Sequence, residues 1–128
     1  MYRIFRQLKL NVLFINILKE SVNFDAAKRR CAFLCGKLVT PKNSGENDHL
    51  FKIVTQNDMG NVWLGISDEI SEGNWLELSS SQQILYTNWI AGQPDGGTSQ
   101  NHAFLDINNA GQWRDNPKST TASVVCEL

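Results

Sequence analysis

The segment Asn88–Asp115, NWIAGQPDGGTSQNHAFLDINNAGQWRD, decides how the rest of the chain is read. Gln93 and Asp95 flank Pro94, and proline is the residue at which cis peptide bonds occur, usually in a tight turn. A cis bond here would swing both side-chain oxygens to one side of the loop. Two hard oxygens from one turn, joined by Asp115 from the next strand, suit calcium, which takes about six to eight oxygens in flexible geometry. Open coordination positions would then accept the hydroxyls of a ligand. Taken alone, Gln-Pro-Asp is more often an ordinary surface turn, and its context decides.

Outward from this loop the pattern is one of short strands. Ala103–Ile107 and Ala122–Glu127 follow it, while Val62, Leu64 and Ile66 alternate ahead of it and Gly73 and Asn74 mark a turn. Helical spacing is confined to the first half. Over Asp25–Lys37, Phe24, Ala27, Cys31 and Leu34 form a stripe closed by Gly36. A short extended piece, Lys37–Thr40, stops at Pro41, and a second helix starts at Asn43, with Glu46 as the return arm of a capping box and Leu50, Ile53 and Val54 as its buried face. Two helices followed by many strands predict an α+β domain, with the helices on one side of an antiparallel sheet. All four tryptophans, Trp63, Trp75, Trp89 and Trp113, lie in the strand-rich half, where they could stack on a sugar or fill the core. Alternation assigns Trp63 to the core, and Trp113 reads as a loop support.

At the N-terminus, Leu8, Leu10, Val12 and Phe14 alternate while Leu13, Ile15 and Ile17 make the other face apolar, which predicts a strand covered on both sides. A short heptad seam through Ile4, Leu8, Ile15, Leu18 and Val22 is the competing reading. The basic start and the apolar run Leu10–Leu18 resemble a secretory signal, but Lys19, Glu20 and Ser21 offer no small-x-small cleavage site. That run also falls short of the ~20 apolar residues of a membrane span. Residues 1–21 are thus read as a strand or neck-like segment, with a signal or neck remnant as the alternative, and 22–128 as one domain.

Composition narrows the function. The 128 residues carry 12 Lys+Arg against 13 Asp+Glu, so no basic field exists for a nucleic-acid backbone. An enzyme would have to use Asp106, Asp115 or His102 as acid and base, yet no nucleophile with an adjacent base and no phosphate loop is present, so a non-enzymatic role is expected. Three cysteines and two histidines lack the paired spacing of a zinc site. A bond between Cys31 and Cys126 would close nearly the whole domain and be worth roughly 4 to 5 kcal/mol; three free thiols in a reducing compartment fit the count equally well. No Asn-x-Ser/Thr sequon is present.

Five motifs in order carry a resemblance: TPKN with EN at Thr40–Asn47, WLGISDEISEGNW at Trp63–Trp75, YTNW with GQPD at Tyr86–Asp95, GQW with Asp at Gly111–Asp115, and VVCE at Val124–Glu127. Together they resemble a C-type lectin-like domain of the collectin type, over roughly Val12–Glu127. The resemblance implies a double-loop fold with two helices and short antiparallel sheets, termini meeting on one sheet, a Cys31–Cys126 disulfide, and secretion or extracellular exposure. It also implies that residues 22–128 form a carbohydrate-recognition domain.

In this family the triplet reads Gln-Pro-Asp in galactose-type members and Glu-Pro-Asn in mannose-type ones. Gln93 and Asp95 therefore imply calcium-dependent binding of galactose or N-acetylgalactosamine, because an amide both donates and accepts while a carboxylate only accepts. The implied metal ligands are Gln93, Asp95, Asp115 and one of Gln100 and Asn101, with Asp68 and Glu72 at an auxiliary calcium site. Asn101, His102 and Trp113 join Gln93, Asp95 and Asp115 as implied sugar contacts, His102 or Trp113 replacing the aromatic absent at Gly96 and Gly97.

The chain departs from the family pattern in three further ways. A second cysteine pair is missing, with His102 and Lys118 in its place. The acid expected after the triplet is Gln100 or Asn101. Arg114 stands where an asparagine is expected, and it is expected either to pair with Asp95 or Asp115 in the calcium position or to point to solvent. Low ligand charge implies roughly millimolar calcium affinity or none. The alternative function is a calcium-independent lectin-like domain that binds a protein or another ligand. Weak single sites imply avidity from clustering, hence a homo-oligomer, through Cys35 or through the N-terminal segment.

Overall fold

The computed structural model describes residues 6–10 and 13–128. Its sheet begins with β1 (Arg6–Leu10) and β2 (Leu13–Val22), paired antiparallel so that Leu8 faces Ile15. The single strand expected across this region is therefore two antiparallel strands among the described residues, in place of a heptad seam; Ile4 and Val12, on which those expectations also drew, lie outside the described residues. From Ile15 to Leu18 every residue of β2 is buried, as a strand covered on both faces requires.

Asn23 opens α1 (Phe24–Phe33) by accepting the Ala26 N–H at 2.9 Å. Past the C-cap Leu34, Cys35 takes the left-handed φ of 59° itself, while the Gly36 N–H donates to the Cys31 carbonyl at 2.8 Å. Gly36 is needed for a different reason than helix termination: a Cβ there would fall on the Glu127 carbonyl oxygen. Asn43 likewise caps α2 (Ser44–Gln56) by accepting the Glu46 N–H at 2.9 Å. The Glu46 carboxylate reaches back to the Lys42 N–H at 3.0 Å, one residue beyond the N-cap expected for a capping box.

The remaining strands are β3 (Lys37–Leu38), β4 (Val62–Ser67), β5 (Leu76–Glu77), β6 (His102–Asp106), β7 (Gln112–Asn116) and β8 (Ala122–Glu127). Their order is β1-β2-β8-β4-β6-β7, with β3 on β8 and β5 on β4. All described pairs are antiparallel except β4 with β8, which run parallel at Val62 and Ser123, so the sheet is mixed. Because β2 lies beside β8, the two ends of the chain meet on one sheet.

Strand alternation divides the core in two. Val62, Leu64, Ile66, Ala103, Leu105 and Val125 face α2 and bury Leu50, Ile53 and Val54. Trp63, Phe104, Val124 and Cys126 face α1 and bury Phe24, Ala27 and Cys31. The helices thus cover opposite faces of the sheet, which corrects the expectation that both lie on one side. The Cys31–Cys126 disulfide ties α1 to β8 across 95 residues, with Cα atoms 5.3 Å apart. Cys35 is exposed and unbonded to sulfur. No helix among the described residues is long and apolar enough to cross a membrane.

Candidate functional site

Between β4 and β6 runs the long stretch 68–101, which rejoins the sheet at β5 and which aromatic rings fasten to the core. Trp75 and Trp89 lie 4.9 Å apart, and Trp89 and Tyr86 each meet Trp113 edge-on at 5.7 Å. Two backbone bonds then fix the loop to β7, Trp113 N–H to the Asn88 carbonyl at 2.8 Å and Ile90 N–H to the Trp113 carbonyl at 2.9 Å. Beneath them Asn47, fully buried on α2, accepts from Trp113 Nε1 at 2.7 Å and donates to the Gly111 carbonyl at 3.0 Å. Nothing in the spacing of α2 distinguished Asn47 from a surface polar residue, and this support was missed from sequence.

The chain then turns at Gly92 (φ 87°) into a cis Gln93–Pro94 bond. Three of the expected residues come together here. Gln93 Oε1 accepts the Asp115 N–H at 3.4 Å, and the Asp115 carboxylate accepts from Asp95 N–H at 3.2 Å and Gly96 N–H at 2.9 Å. Asp115 is 3% exposed, whereas the Asp95 side chain faces solvent. Gln100 packs over Gly96, at the position a Cβ would need. Asn101 donates its side-chain amide to the Thr98 carbonyl at 3.0 Å, and its own carbonyl accepts the Asp68 N–H at 3.2 Å.

Three expectations are corrected. Trp113 is fully buried with its Nε1 committed to Asn47, so it presents no ring to a sugar. His102 is 4% exposed, with its ring 3.9 Å from that of Phe24 and Nε2 3.7 Å from the Glu69 carboxylate. Burial holds its imidazole below the ordinary value against the pull of Glu69. Arg114 does not approach Asp95 or Asp115. Its Nε lies 3.4 Å from Asp106 Oδ2. Strand alternation is the reason: on β7 Trp113 and Asp115 point inward and Arg114 points the other way. Asp106 also accepts from Asn108 N–H and Asn109 Nδ2, both at 2.9 Å, so it is a structural hub.

The auxiliary pair is also adjacent. Asp68, 2% exposed, accepts the Gly73 N–H at 2.9 Å through Oδ2, while its Oδ1 has no hydrogen-bond partner. Desolvation and then the neighbouring Asp68 carboxylate raise Glu72 above the ordinary carboxylate value, and Asp115 adds to this. Hard oxygens of the right type are thus gathered, and the orphaned Asp68 Oδ1 is the atom a cation would satisfy. The charge is thin, however. No group of three or more His, Cys, Asp or Glu arranged to hold a metal occurs among the described residues.

A sheet that joins both chain ends, a disulfide across it, and a long loop mounted on its far strands define a C-type lectin fold. Residues 20–128 match the lectin C-type domain model, and the chain belongs to that family of non-enzymatic binding proteins, whose members commonly bind calcium. It is 33% identical over 115 residues to human tetranectin, covering 85% of this chain and 56% of tetranectin. The chain thus spans little more than half the length of that relative. The mouse scavenger receptor C-type lectin carbohydrate-recognition domain superposes with a TM-score of 0.86 at 26% identity, over 95% of this chain and 94% of that one. The C-type lectin CEL-I from Cucumaria echinata gives 0.86 at 20% identity over 95% and 94%, a likeness of fold alone.

Proposed function

We propose that the cis-proline loop is a carbohydrate site for galactose or N-acetylgalactosamine, with calcium held weakly by Gln93, Asp95, Asp115 and one of Gln100 and Asn101. The observation that carries it is the convergence of Gln93, Asp95 and Asp115 on the cis Gln93–Pro94 turn. A calcium ion bound there would supply a Lewis-acidic centre for vicinal sugar hydroxyls. Gln93 then offers an amide where a donor is wanted and Asp95 an acceptor-only carboxylate. With His102 and Trp113 in the core, the sugar contacts reduce to Gln93, Asp95, Asn101 and Asp115. The similarity to a scavenger receptor carbohydrate-recognition domain supports the reading. Asp68 and Glu72 are proposed as the auxiliary calcium pair.

Two proposed carboxylates set the affinity near the weak, extracellular end of the calcium range, about 10⁻⁴–10⁻³ M. The cross-sheet disulfide agrees with an oxidising, extracellular setting, and sites this weak require an oligomer for avidity. A second reading, calcium-independent binding of a protein, is favoured by one observation: no group of three or more His, Cys, Asp or Glu arranged to hold a metal occurs among the described residues. A multimerised sample on a glycan array, in calcium and in chelator, tests both. Galactose-type binding lost in chelator is the expected result; no sugar signal in either condition refutes the first reading.

A further inference from the structure

Asp95 is the one aspartate of seven that is followed by glycine. That step has a chemistry of its own, because a glycine nitrogen is the least hindered nucleophile the backbone offers to a preceding carboxyl carbon. We propose that Asp95–Gly96 is a site of spontaneous conversion to isoaspartate, and that Asp115 sets its rate. In the reaction the Gly96 nitrogen loses its proton and bonds to the Asp95 side-chain carboxyl carbon, which expels water to give a five-membered imide. Water then opens the ring at either carbonyl, restoring aspartate or leaving the main chain routed through the side chain. Atoms balance with water alone, and nothing is oxidised or reduced.

Three features place the reaction here. The Asp95 side chain is exposed, so water reaches it. Gly96 cannot be exchanged for a bulkier residue, since a Cβ would overlap the Gln100 side chain, and Gly97 next to it holds φ at 54°. The loop therefore keeps the reactive step as part of its own geometry. Opposing this, the N–H groups on both sides of Asp95 are pinned to one carboxylate, at 3.2 and 2.9 Å. Ring closure requires rotation about the Asp95 backbone to bring the Gly96 nitrogen onto the carboxyl carbon, and the double anchor resists it.

The test incubates the folded domain at neutral pH and physiological temperature, then measures isoaspartate at each aspartate by peptide mass spectrometry and enzymatic methylation. Wild type, the same chain unfolded in urea with reductant, Asp115→Asn and Asp95→Glu are compared. Conversion is expected at position 95 above every other aspartate, several-fold faster in Asp115→Asn and in the unfolded chain, and absent in Asp95→Glu. Absence of isoaspartate at 95 in the folded protein overturns the site. Equal rates in wild type and Asp115→Asn overturn the clamp. Should that variant not fold, equal rates in folded and unfolded wild type do the same. The chemistry is read without any ligand; only its consequence, loss of binding by the converted fraction, rests on the function proposed above.

Discussion

Replacing Asn47 by leucine isolates the bond that holds the binding loop's foundation. Asn47 is fully buried and bridges Trp113 Nε1 and the Gly111 carbonyl. Leucine keeps the branched four-atom outline but is larger, so no cavity forms and any overpacking adds to the loss. The Gly111 carbonyl keeps a second donor, Asn88 Nδ2 at 3.3 Å, which leaves the Trp113 indole N–H as the one group stranded in the core. A buried unsatisfied donor costs about 1–3 kcal/mol, and the loss should sit near the middle, about 2 kcal/mol. For a domain of this size that corresponds to roughly 6–10 °C in Tm. Urea unfolding followed by tryptophan fluorescence measures it. Adding Trp113→Phe removes the stranded donor, so the double variant should lose less than the sum of the singles. An Asn47→Leu loss below about 0.5 kcal/mol, or strict additivity, would refute the assignment of this bond as the support of β7.

The disulfide closes a span of 95 residues, so Cys31→Ser combined with Cys126→Ser should cost about 4–5 kcal/mol, seen as a drop in urea midpoint matched by reduction of the wild type; Cys35→Ser should leave the midpoint in place. His102 titrates below its ordinary value because it is buried, and the sign follows: its contribution is fully present above the unfolded value of about 6.5 and is lost as pH falls through the depressed folded value. His102→Phe should therefore flatten the acid side of the stability profile below pH ~6.5, and an unchanged slope in that variant sinks the claim. Arg114→Gln should leave calcium affinity unchanged in titration calorimetry, because Arg114 faces Asp106. Arg114 is 42% exposed and its Nε makes no hydrogen bond, so the pair adds at most about 1 kcal/mol to stability. A rise in affinity would return Arg114 to the calcium position.

Most elements were legible because their signals are local. The Asn43 cap, the alternation of Val62, Leu64 and Ile66, and the strand Ala122–Glu127 all follow from neighbouring residues. What escaped depended on partners far along the chain. Whether α1 and α2 share a face of the sheet is settled by which residues of β4 and β8 each meets, and a strand buried on both sides carries no mark of the answer. His102 was misplaced for a related reason. A histidine after a polar loop reads as exposed, but it begins β6 and turns beneath α1 onto Phe24. Arg114 could have been placed from sequence. If Trp113 is core, alternation sends Arg114 to the opposite face and Asp115 back inward, and that rule outranks any analogy of position.

The same alternation bears on how calcium and the loop clamp coexist. An ionised carboxylate has two oxygens and about four lone-pair sites, and in Asp115 the Asp95 and Gly96 N–H groups occupy two of them. Two remain for a cation. Calcium and the backbone clamp are therefore not exclusive, and the loop does not have to open for the ion to enter. The N–H groups do withdraw electron density from the oxygens they contact, so Asp115 counts as less than a full charge toward the metal. Thin charge, rather than a blocked position, is then what weakens this site, and adding charge is the remedy that separates the two. Asn101→Asp adds a third carboxylate to the loop while giving up the amide's bond to the Thr98 carbonyl. It should strengthen calcium binding several-fold in titration calorimetry while the circular dichroism of the loop tryptophans stays as it is in the wild type. If affinity does not move, charge is not the limiting factor, and the clamp on Asp115 is.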